Sequence, residues 1–300
     1  RDWSSDVCSS DLKGNLLMAF VGGEIERHSV IHYQGPSFRG GGCGTKHWVS
    51  NGGIADMAVV GEPTRMVLVG EHVGSVGVRI TTRGKPAPLR VADHGDDAIR
   101  KMRVLIDVFD DYAKEYAARR EYKGRRSSVH MHSIEGGWPY RCNRVPIFCH
   151  VFLEFRLLPN QEINEVPLEV ERLLDRVRAK QPGIDFDTEF FVTLPPAQDS
   201  STSVIADHLR AAHRAVMGAP PEEGVGMFLS DAGHLQAYNI PCVNYGPSGR
   251  TVTGKENWDP DVGEHLNIDD LTHTARVYAT LILDVLSKTR QELGLKVLPV

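Results

Sequence analysis

The apolar residues near both ends of the chain form short runs, whereas those in the middle alternate with polar residues or recur at helical spacing. Leu16–Val21 and Ala55–Gly61 are largely apolar runs that end at glycines or at Glu62-Pro63. Runs of this length predict buried strands of the kind found in parallel sheets. Ile240–Gly246 has the same pattern. These runs predict one α/β domain built from both ends of the chain.

Helical patterns accompany these strands. A short helix is predicted over Thr45–Asn51, after a glycine-rich loop. After Leu194-Pro195-Pro196, helices are predicted over Ser203–Met217, Asp231–Tyr238 and Asp269–Ser287. The last of these carries an apolar face at spacings of three and four residues, which is typical of a helix that packs on a sheet.

The middle of the chain predicts a separate, smaller domain. Val73–Thr82 and Ser128–Ile134 alternate as half-buried strands do, and Phe148–Leu158 and Phe186–Thr193 are further strands. Helices are predicted over Asp97–Arg119 and Val166–Lys180. The apolar stripe of the first helix is Ile99, Met102, Ile106, Phe109 and Tyr112. The order β-α-β-β-α-β predicts an inserted α+β domain of the ferredoxin-like type.

Composition excludes several classes of protein. The 300 residues have a net charge of −5, are 41% hydrophobic and 24% charged, and this is ordinary globular composition. Mild acidity argues against nucleic-acid binding, and no run approaches the ~18–20 apolar residues that span a membrane. Five cysteines form no Cys-x-x-Cys pair. We therefore predict a reduced, cytoplasmic protein.

The first twelve residues differ from the rest of the chain. Residues 1–12 read RDWSSDVCSSDL, begin with Arg and contain Ser-Ser-Asp twice. They have no helical or strand period and lack the plan of a signal peptide. We interpret them as a non-native scar similar to translated adapter sequence, with 288 genuine residues following and the natural N-terminus absent. The alternative is a native polar tail.

Acidic residues follow two of the predicted strands. Glu24 and Glu26 come after the first apolar run, and Glu62 comes directly after the second. In open α/β sheets, sites lie beyond the carboxyl ends of the strands. A carboxylate there can act as a general base on water or as a metal ligand. Solvated loop acids are the alternative reading.

Other candidates are consistent with either a functional or a structural role. Arg156 lies in an apolar strand, so its planar guanidinium forms either an ion pair or a clamp for a substrate carboxylate. Asp231 opens a predicted helix and is either a residue of the site or an N-cap or first-turn acid, a role that structure alone explains. Ser248 and Gly249 lie in a Gly/Pro turn whose N–H groups could bind an oxyanion. His265 is either a zinc ligand or a surface histidine.

The order of these motifs is more specific than any one of them. Gly-Glu-Pro-Thr precedes the inserted domain, and Gly-Gly, Asn-x-Val-Pro and Phe-Arg-x-x-Pro lie within it. Ser-Asp-Ala, Tyr-Gly-Pro-x-Gly and Glu-x-x-x-Ile-Asp-Asp-Leu follow. From Gly14 to about Leu286 the chain resembles the di-zinc hydrolase family of aminoacylase, carboxypeptidase G and succinyl-diaminopimelate desuccinylase.

The resemblance implies a cofactor, roles for individual residues and a partner. Family members bind two zinc ions that activate a water for attack on an amide carbonyl. Carried over, Glu24 is the general base and Glu62 a zinc ligand. Arg156 and Asn143 contact a substrate carboxylate, and Ser248 and Gly249 belong to the loop that cradles the substrate. The inserted domain implies a homodimer, and the substrate is an N-acyl amino acid or a peptide-like molecule.

The chain departs from the family pattern at three positions. Ile25 follows Glu24 where a second glutamate is usual, so Glu26 would substitute for it as a metal ligand. Pro88 lies where the inserted domain usually has a histidine. Pro260 lies at the late metal-binding histidine, for which His265 would substitute.

We therefore expect a partial zinc-peptidase-like catalytic domain, lacking its N-terminal strands, with an inserted ferredoxin-like dimerisation domain. The predicted boundaries are the scar at 1–12, catalytic parts at 13–69 and 194–300, and the insert at 70–193. The function expected is metal-dependent hydrolysis of an amide bond next to a carboxylate, with this chain itself inactive because it holds too few ligands. The alternative is a dimeric, non-catalytic relative that binds carboxylates.

Overall fold

The computed structural model describes residues 12–24, 40–248 and 266–296. All of the predicted scar except Leu12 lies outside these ranges, as do Glu26, Gly249 and His265. The chain divides into two compact units. The first consists of Arg1–Ile25, Gly42–His72 and Ala197–Val300, and the second of Glu26–Gly41 and Val73–Pro196.

The described residues form six α-helices and ten strands. The helices are α1 (Cys43–Ser50), α2 (Ala98–Arg119), α3 (Glu165–Lys180), α4 (Val204–Met217), α5 (Ala232–Gln236) and α6 (Ile268–Leu286). The strands are β1 (Ala58–Val60), β2 (Leu68–His72), β3 (Gly74–Arg83), β4 (Glu121–Tyr122), β5 (Arg125–Arg126), β6 (Ser128–Gly136), β7 (Phe148–Leu157), β8 (Phe186–Leu194), β9 (Glu223–Gly226) and β10 (Cys242–Asn244). A 3-10 helix spans Leu89–His94. Among these helices none is long and apolar enough to cross a membrane.

The sheet of the first unit is mixed rather than wholly parallel. Its strand order is β1-β10-β2-β9. The outer pairs β1·β10 and β2·β9 are parallel, whereas β10·β2 is antiparallel. Leu68 and Val243 from the sheet pack with Leu209 of α4 and with Val277 and Leu281 of α6 in one apolar core. This core supports the edge of the sheet at which the candidate site lies.

The predicted strand at Leu16–Val21 is wrong. The structure has no strand there, and Leu17, Met18 and Phe20 are exposed, with Phe20 at 91% of its full accessibility. An extended apolar segment becomes a strand only when another strand satisfies its backbone N–H and C=O groups. No described strand pairs with this segment. The apolar run alone carried no information about a pairing partner.

Two strands of the same sheet escape prediction because polar residues interrupt them. β2 reads LVGEH and is buried at every position, including Glu71 and His72. β9 reads EGVG and follows two prolines, a composition typical of turns. Polar residues in a buried strand remove the apolar run that marks such strands in a sequence.

The second unit has the predicted ferredoxin-like topology. Its sheet has the order β6-β7-β3-β8, with every neighbouring pair antiparallel. Helices α2 and α3 contribute to its core, which also contains the following strand residues: Val76, Val78, Ile80, Val129, Val151, Leu153, Phe155 and Leu157. β3 was expected to be half-buried, yet eight of its ten residues are buried. It is a central strand, with β7 paired on one side and β8 on the other.

Helix α2 forms as predicted, and three of the five residues of its predicted stripe, Met102, Phe109 and Tyr112, are buried. Asp97 caps it, because its Oδ1 accepts hydrogen bonds from the amides of Ile99 at 2.9 Å and Arg100 at 3.1 Å. Ile99 and Ile106 of the predicted stripe are exposed, while Leu105 is buried. α2 packs against both α3 and the sheet. The buried residues of α2 therefore include those that face α3 as well as those that face the sheet. Sequence spacing alone did not indicate this second contact.

Two leucines of α3 provide a matched test of this core. Leu173 is fully buried in the core of the second unit, and Leu168 on the same helix is 63% exposed. Leu173→Ala is expected to lower the free energy of unfolding of this unit by about 2–5 kcal/mol. Leu168→Ala should change it by no more than about 0.5 kcal/mol. Urea unfolding followed by circular dichroism measures both, and equal effects would contradict the packing described here.

Candidate functional site

The candidate site lies where β1 and β10 end. These two strands are parallel neighbours, so their carboxyl ends meet at the same edge of the sheet. Glu62 follows β1, and the loop from Tyr245 to Ser248 follows β10. Ligand sites in α/β sheets form beyond such carboxyl ends. The first unit therefore carries two of the predicted motifs, Gly-Glu-Pro-Thr and Tyr-Gly-Pro, side by side.

Backbone hydrogen bonds tie these two loops together. The Gly246 amide donates to the Thr64 hydroxyl at 3.1 Å, and its carbonyl accepts from the Met66 amide at 2.6 Å. The Arg65 amide donates to the Pro247 carbonyl at 3.1 Å. Arg65 and Met66 both adopt left-handed conformations, with φ of 60° and 59°. Non-glycine residues adopt this conformation only where their surroundings hold it, and here the hydrogen bonds to the second loop do so.

Gly246 is required because the two loops approach too closely for a side chain. A Cβ atom built on Gly246 would lie 2.2 Å from the carbonyl oxygen of Glu62. The position of Glu62 relative to the second loop therefore depends on a residue without a Cβ atom.

Glycines also hold the segment that carries Glu24. The Gly42 amide donates to the Gly23 carbonyl at 2.9 Å. A Cβ atom on Gly44 would lie 2.3 Å from the Gly22 carbonyl oxygen. The glycine-rich loop before α1 thus lies directly against the residues that precede Glu24. The glycines of this segment therefore allow close backbone packing as well as a turn.

Asp231 takes part in the site instead of capping α5. Its side chain makes no capping hydrogen bond. Its Oδ2 accepts from the Thr45 hydroxyl at 2.6 Å, and Thr45 lies in the first turn of α1. The other oxygen, Oδ1, is buried without a hydrogen-bond partner in the described part of the chain. The capping explanation of Asp231 is therefore wrong, because α1 rather than α5 binds its carboxylate.

Glu62 is the most strongly perturbed carboxyl group at this edge. Its burial, followed by the charges of Glu24 and Asp231, raises its pKa to about 8. Burial and the charge of Glu62 also raise the pKa of Tyr278 on α6. A strongly perturbed pKa caused by burial and a specific charge partner is one mark of a functional site.

Ser248 is held from two directions. Its hydroxyl donates to the Asp270 carboxylate, and its carbonyl accepts from the Asn267 amide at 3.0 Å. The hydroxyl is therefore committed to α6. Gly249, Glu26 and His265, the remaining predicted site residues of the first unit, lie outside the described residues.

Arg156 and Asn143 belong to the second unit and do not converge within it. Arg156 Nε lies 2.8 Å from Glu154 Oε1, which also accepts from the Ser75 hydroxyl at 2.8 Å. Asn143 is exposed in the loop before β7, whereas Arg156 is near the far end of that strand. Arg156 is eight residue steps beyond Phe148, the first residue of β7, which is about 27 Å at ~3.4 Å per residue.

The described residues do not fit a metal centre. Within the described ranges, no group of three or more His, Cys, Asp and Glu side chains is arranged to hold a metal ion. A catalytic zinc requires about three protein ligands. Glu62 and its neighbouring carboxylates therefore form an acidic site whose described members are too few or too far apart to complete such a centre.

The inserted unit is similar to a known domain family. Residues 70–181 match the family model M20_dimer, a peptidase dimerisation domain. Over 95% of this chain, the sequence is 22% identical to an N-formyl-4-amino-5-aminomethyl-2-methylpyrimidine deformylase of Bacillus subtilis. It is 21% identical to a succinyl-diaminopimelate desuccinylase of Nitrosomonas eutropha over 89% of this chain. An acetylornithine deacetylase of Buchnera aphidicola is 24% identical over 51%.

These matches support a relationship between this chain and the M20 peptidase family. The chain spans 72% of the deformylase, 65% of the desuccinylase and 41% of the deacetylase. A tripeptidase from Staphylococcus aureus superposes with a TM-score of 0.62 at 16% identity, covering 83% of this chain and 62% of that one. The yeast dipeptidase Dug1p superposes with 0.58 at 12% identity, covering 81% and 62%. The mixed α/β fold is therefore that of M20 peptidases.

Sequence reasoning missed two contributors to this site and gave a structural explanation to a third. Thr45 and Tyr278 were absent from the candidates, and Asp231 was explained as a cap. The motif Ser-Asp-Ala at 230–232 was the one available signal. Nothing in the sequence indicates that Thr45 meets Asp231, because 186 residues separate them.

Gly246 and Gly61 provide a matched pair of glycines beside Glu62. Gly246→Ala would place a Cβ atom 2.2 Å from the Glu62 carbonyl oxygen, whereas on Gly61 the nearest atom would be the Tyr278 hydroxyl at 3.8 Å. Gly246→Ala is expected to destabilise the first unit by about 1–3 kcal/mol because backbone must move. Gly61→Ala should cost much less. Thermal unfolding of both variants tests this, and similar melting temperatures would contradict it.

Proposed function

We propose that the chain is part of a metal-dependent hydrolase of an amide bond next to a carboxylate, of the N-acyl amino acid deacylase or dipeptidase type. The observation that carries this proposal is the position of Glu62, which lies beyond the end of β1, packs against the loop after β10 and feels the charges of Glu24 and Asp231. The relatives add support, since their names describe removal of formyl, acetyl and succinyl groups.

Glu24 is the proposed general base. It is exposed to solvent, so water and a substrate can reach its carboxylate, and it lies near enough to Glu62 to raise the pKa of that group. A carboxylate in this position accepts the proton of a water as the water attacks an amide carbonyl. Glu62, further from solvent, is the proposed metal ligand.

The metal dependence rests on the family rather than on the geometry. M20 peptidases generally require metals, and three carboxylates that repel one another favour a divalent cation. Because the described residues do not complete a ligand set, no step of this proposal passes through a metal. Glu62 remains the proposed zinc ligand in the described part, with Glu26 and His265 as candidates outside it. This chain alone is proposed to be inactive for want of further ligands.

Arg156 is the proposed contact for the substrate carboxylate. Its present partner is the Glu154 carboxylate, so a substrate carboxylate would replace or share that ion pair. A planar guanidinium suits either partner. Asn143, Ser248 and Gly249 stay proposed substrate contacts on the strength of the motif resemblance. The cytoplasmic location also stays a prediction, consistent with free thiols at Cys43, Cys142, Cys149 and Cys242.

A second candidate function is carboxylate binding without catalysis. Ile25, Pro88 and Pro260 occupy positions where the family usually has functional side chains. This candidate predicts that N-acyl amino acids raise the melting temperature without being hydrolysed. Zinc content, measured by mass spectrometry on the protein expressed from its complete gene, distinguishes the two candidates, because a protein that binds no metal and hydrolyses nothing supports this one.

Glu24→Gln tests the proposed general base. An amide cannot accept the proton of the attacking water, so kcat for an N-acyl amino acid should fall by about 10²–10⁴-fold with little change in KM. Amine release by the protein from its complete gene measures this. Glu222→Gln, an exposed surface glutamate of the same unit, is the control and should retain full activity. Unchanged kcat in Glu24→Gln would remove this residue from the mechanism.

The homodimer is proposed to form through the second unit. Ile99 and Ile106 of α2 and Ile134 of the edge strand β6 are exposed to 43%, 38% and 52%. Ile99 lies against the end of β6, since a Cβ atom on Gly136 would be 3.2 Å from its Cγ1. Exposed apolar side chains beside an open sheet edge are typical of association surfaces.

Introducing a charge into this apolar surface tests the dimer. Ile106→Lys should convert dimers to monomers, because burying an unpaired ammonium in an apolar interface is costly. Leu168→Lys, on the exposed side of α3, is the matched control and should leave the dimer intact. Light scattering after size-exclusion chromatography measures the mass. A dimeric Ile106→Lys protein would show that another surface mediates association.

A further inference from the structure

Tyr278 on α6 contacts the loop that follows β10. Its hydroxyl donates a hydrogen bond to the carbonyl oxygen of Tyr245, and the two rings pack with their centroids 6.0 Å apart. Tyr245 itself is fully buried, and its hydroxyl lies 2.7 Å from Nδ1 of His213 on α4. The side chain of Tyr245 is thus fixed by the core, and its carbonyl is fixed by Tyr278.

The same hydroxyl lies beside the Glu62 loop. A Cβ atom built on Gly61 would be 3.8 Å from it. The charge of Glu62 is felt at Tyr278, whose pKa it raises together with burial. The Tyr278 hydroxyl therefore lies where the loops after β1 and β10 meet, although Tyr278 itself belongs to α6.

The carbonyl of Tyr245 and the amide of Gly246 belong to one planar peptide group. Tyr278 binds the oxygen of this plane, and the Thr64 hydroxyl binds its nitrogen at 3.1 Å. A plane held at both ends cannot rotate. Loss of either hydrogen bond leaves the plane held at one end only, and the direction of the following residues, Pro247 and Ser248, depends on that plane.

We propose that Tyr278 is a positioning residue that, together with Thr64, clamps the Tyr245–Gly246 peptide plane and so sets the loop bearing Ser248 against Glu62. The substrate-binding part of this inference rests on the proposed function. The clamp itself does not, because it concerns hydrogen bonds within the free protein.

Hydrogen exchange measured by mass spectrometry tests the clamp. Tyr278→Phe keeps the ring and removes the hydroxyl, so peptides covering 60–67 and 241–248 should exchange about five- to tenfold faster. Peptides from α4 should change by less than about twofold. Thr64→Val should accelerate the same two peptides, and Thr64→Ser, which keeps a hydroxyl, should not. Tyr238→Phe, at a tyrosine that is 46% exposed, should change nothing.

A purely structural role of Tyr278 predicts a different pattern. General destabilisation would accelerate the α4 peptides in the same proportion as the two loops, and that result overturns the proposal. Unchanged exchange in both loops overturns it as well. These outcomes do not require activity, so they decide the clamp whether or not the proposed function holds.

Steady-state kinetics test whether the clamped loop binds substrate. In the protein from its complete gene, Tyr278→Phe should raise KM for an N-acyl amino acid about five- to tenfold and leave kcat within about twofold. Faster exchange with an unchanged KM would show that the clamped loop does not bind substrate. If the parent protein hydrolyses none of these substrates, the proposed function fails, while the exchange result still stands.

Discussion

The candidate site depends on the close contact between Gly246 and the carbonyl oxygen of Glu62. This contact brings two loops that are 184 residues apart in sequence to one edge of the sheet. The hydrogen bonds of Thr64, Arg65 and Met66 to the second loop are possible only at that distance. Hydrogen bonds between buried backbone groups are costly to break once formed. Every later feature of the site, including the environment of Glu62, is built on this pair of loops.

The electrostatics of the site follow from the same packing. Glu24 reaches the edge because Gly42 and Gly44 allow the preceding residues to lie against the glycine-rich loop. Asp231 reaches it because Thr45 binds one of its oxygens. Burial and nearby negative charges both raise the pKa of a carboxyl group, as they do for Glu62. Such an arrangement costs stability, and proteins retain costly arrangements mainly where they serve function.

Much of the fold could be predicted because its local patterns were consistent. The helices from α2 to α4 and the four long strands of the second unit agree with their periodicity to within a few residues. The failures have common causes. β2 was missed because Glu71 and His72 interrupt its apolar run, and Leu16–Val21 was predicted as a strand although no described strand pairs with it. Ile99 and Ile106 are exposed because α2 faces two neighbours.

The sequence by itself determined the ferredoxin-like insert, the family resemblance and the acidic residue at the end of β1, because periodicity and motif order are local properties. Only the tertiary structure decided which of those residues meet. It directed the Asp231 carboxylate to the Thr45 hydroxyl instead of to the amides of α5, and the Tyr278 hydroxyl to the carbonyl of Tyr245. It also placed Asn143 in the loop before β7 and Arg156 near the last residue of that strand. Contacts between residues far apart in the chain arise from how sheets and helices pack, and no local pattern encodes them.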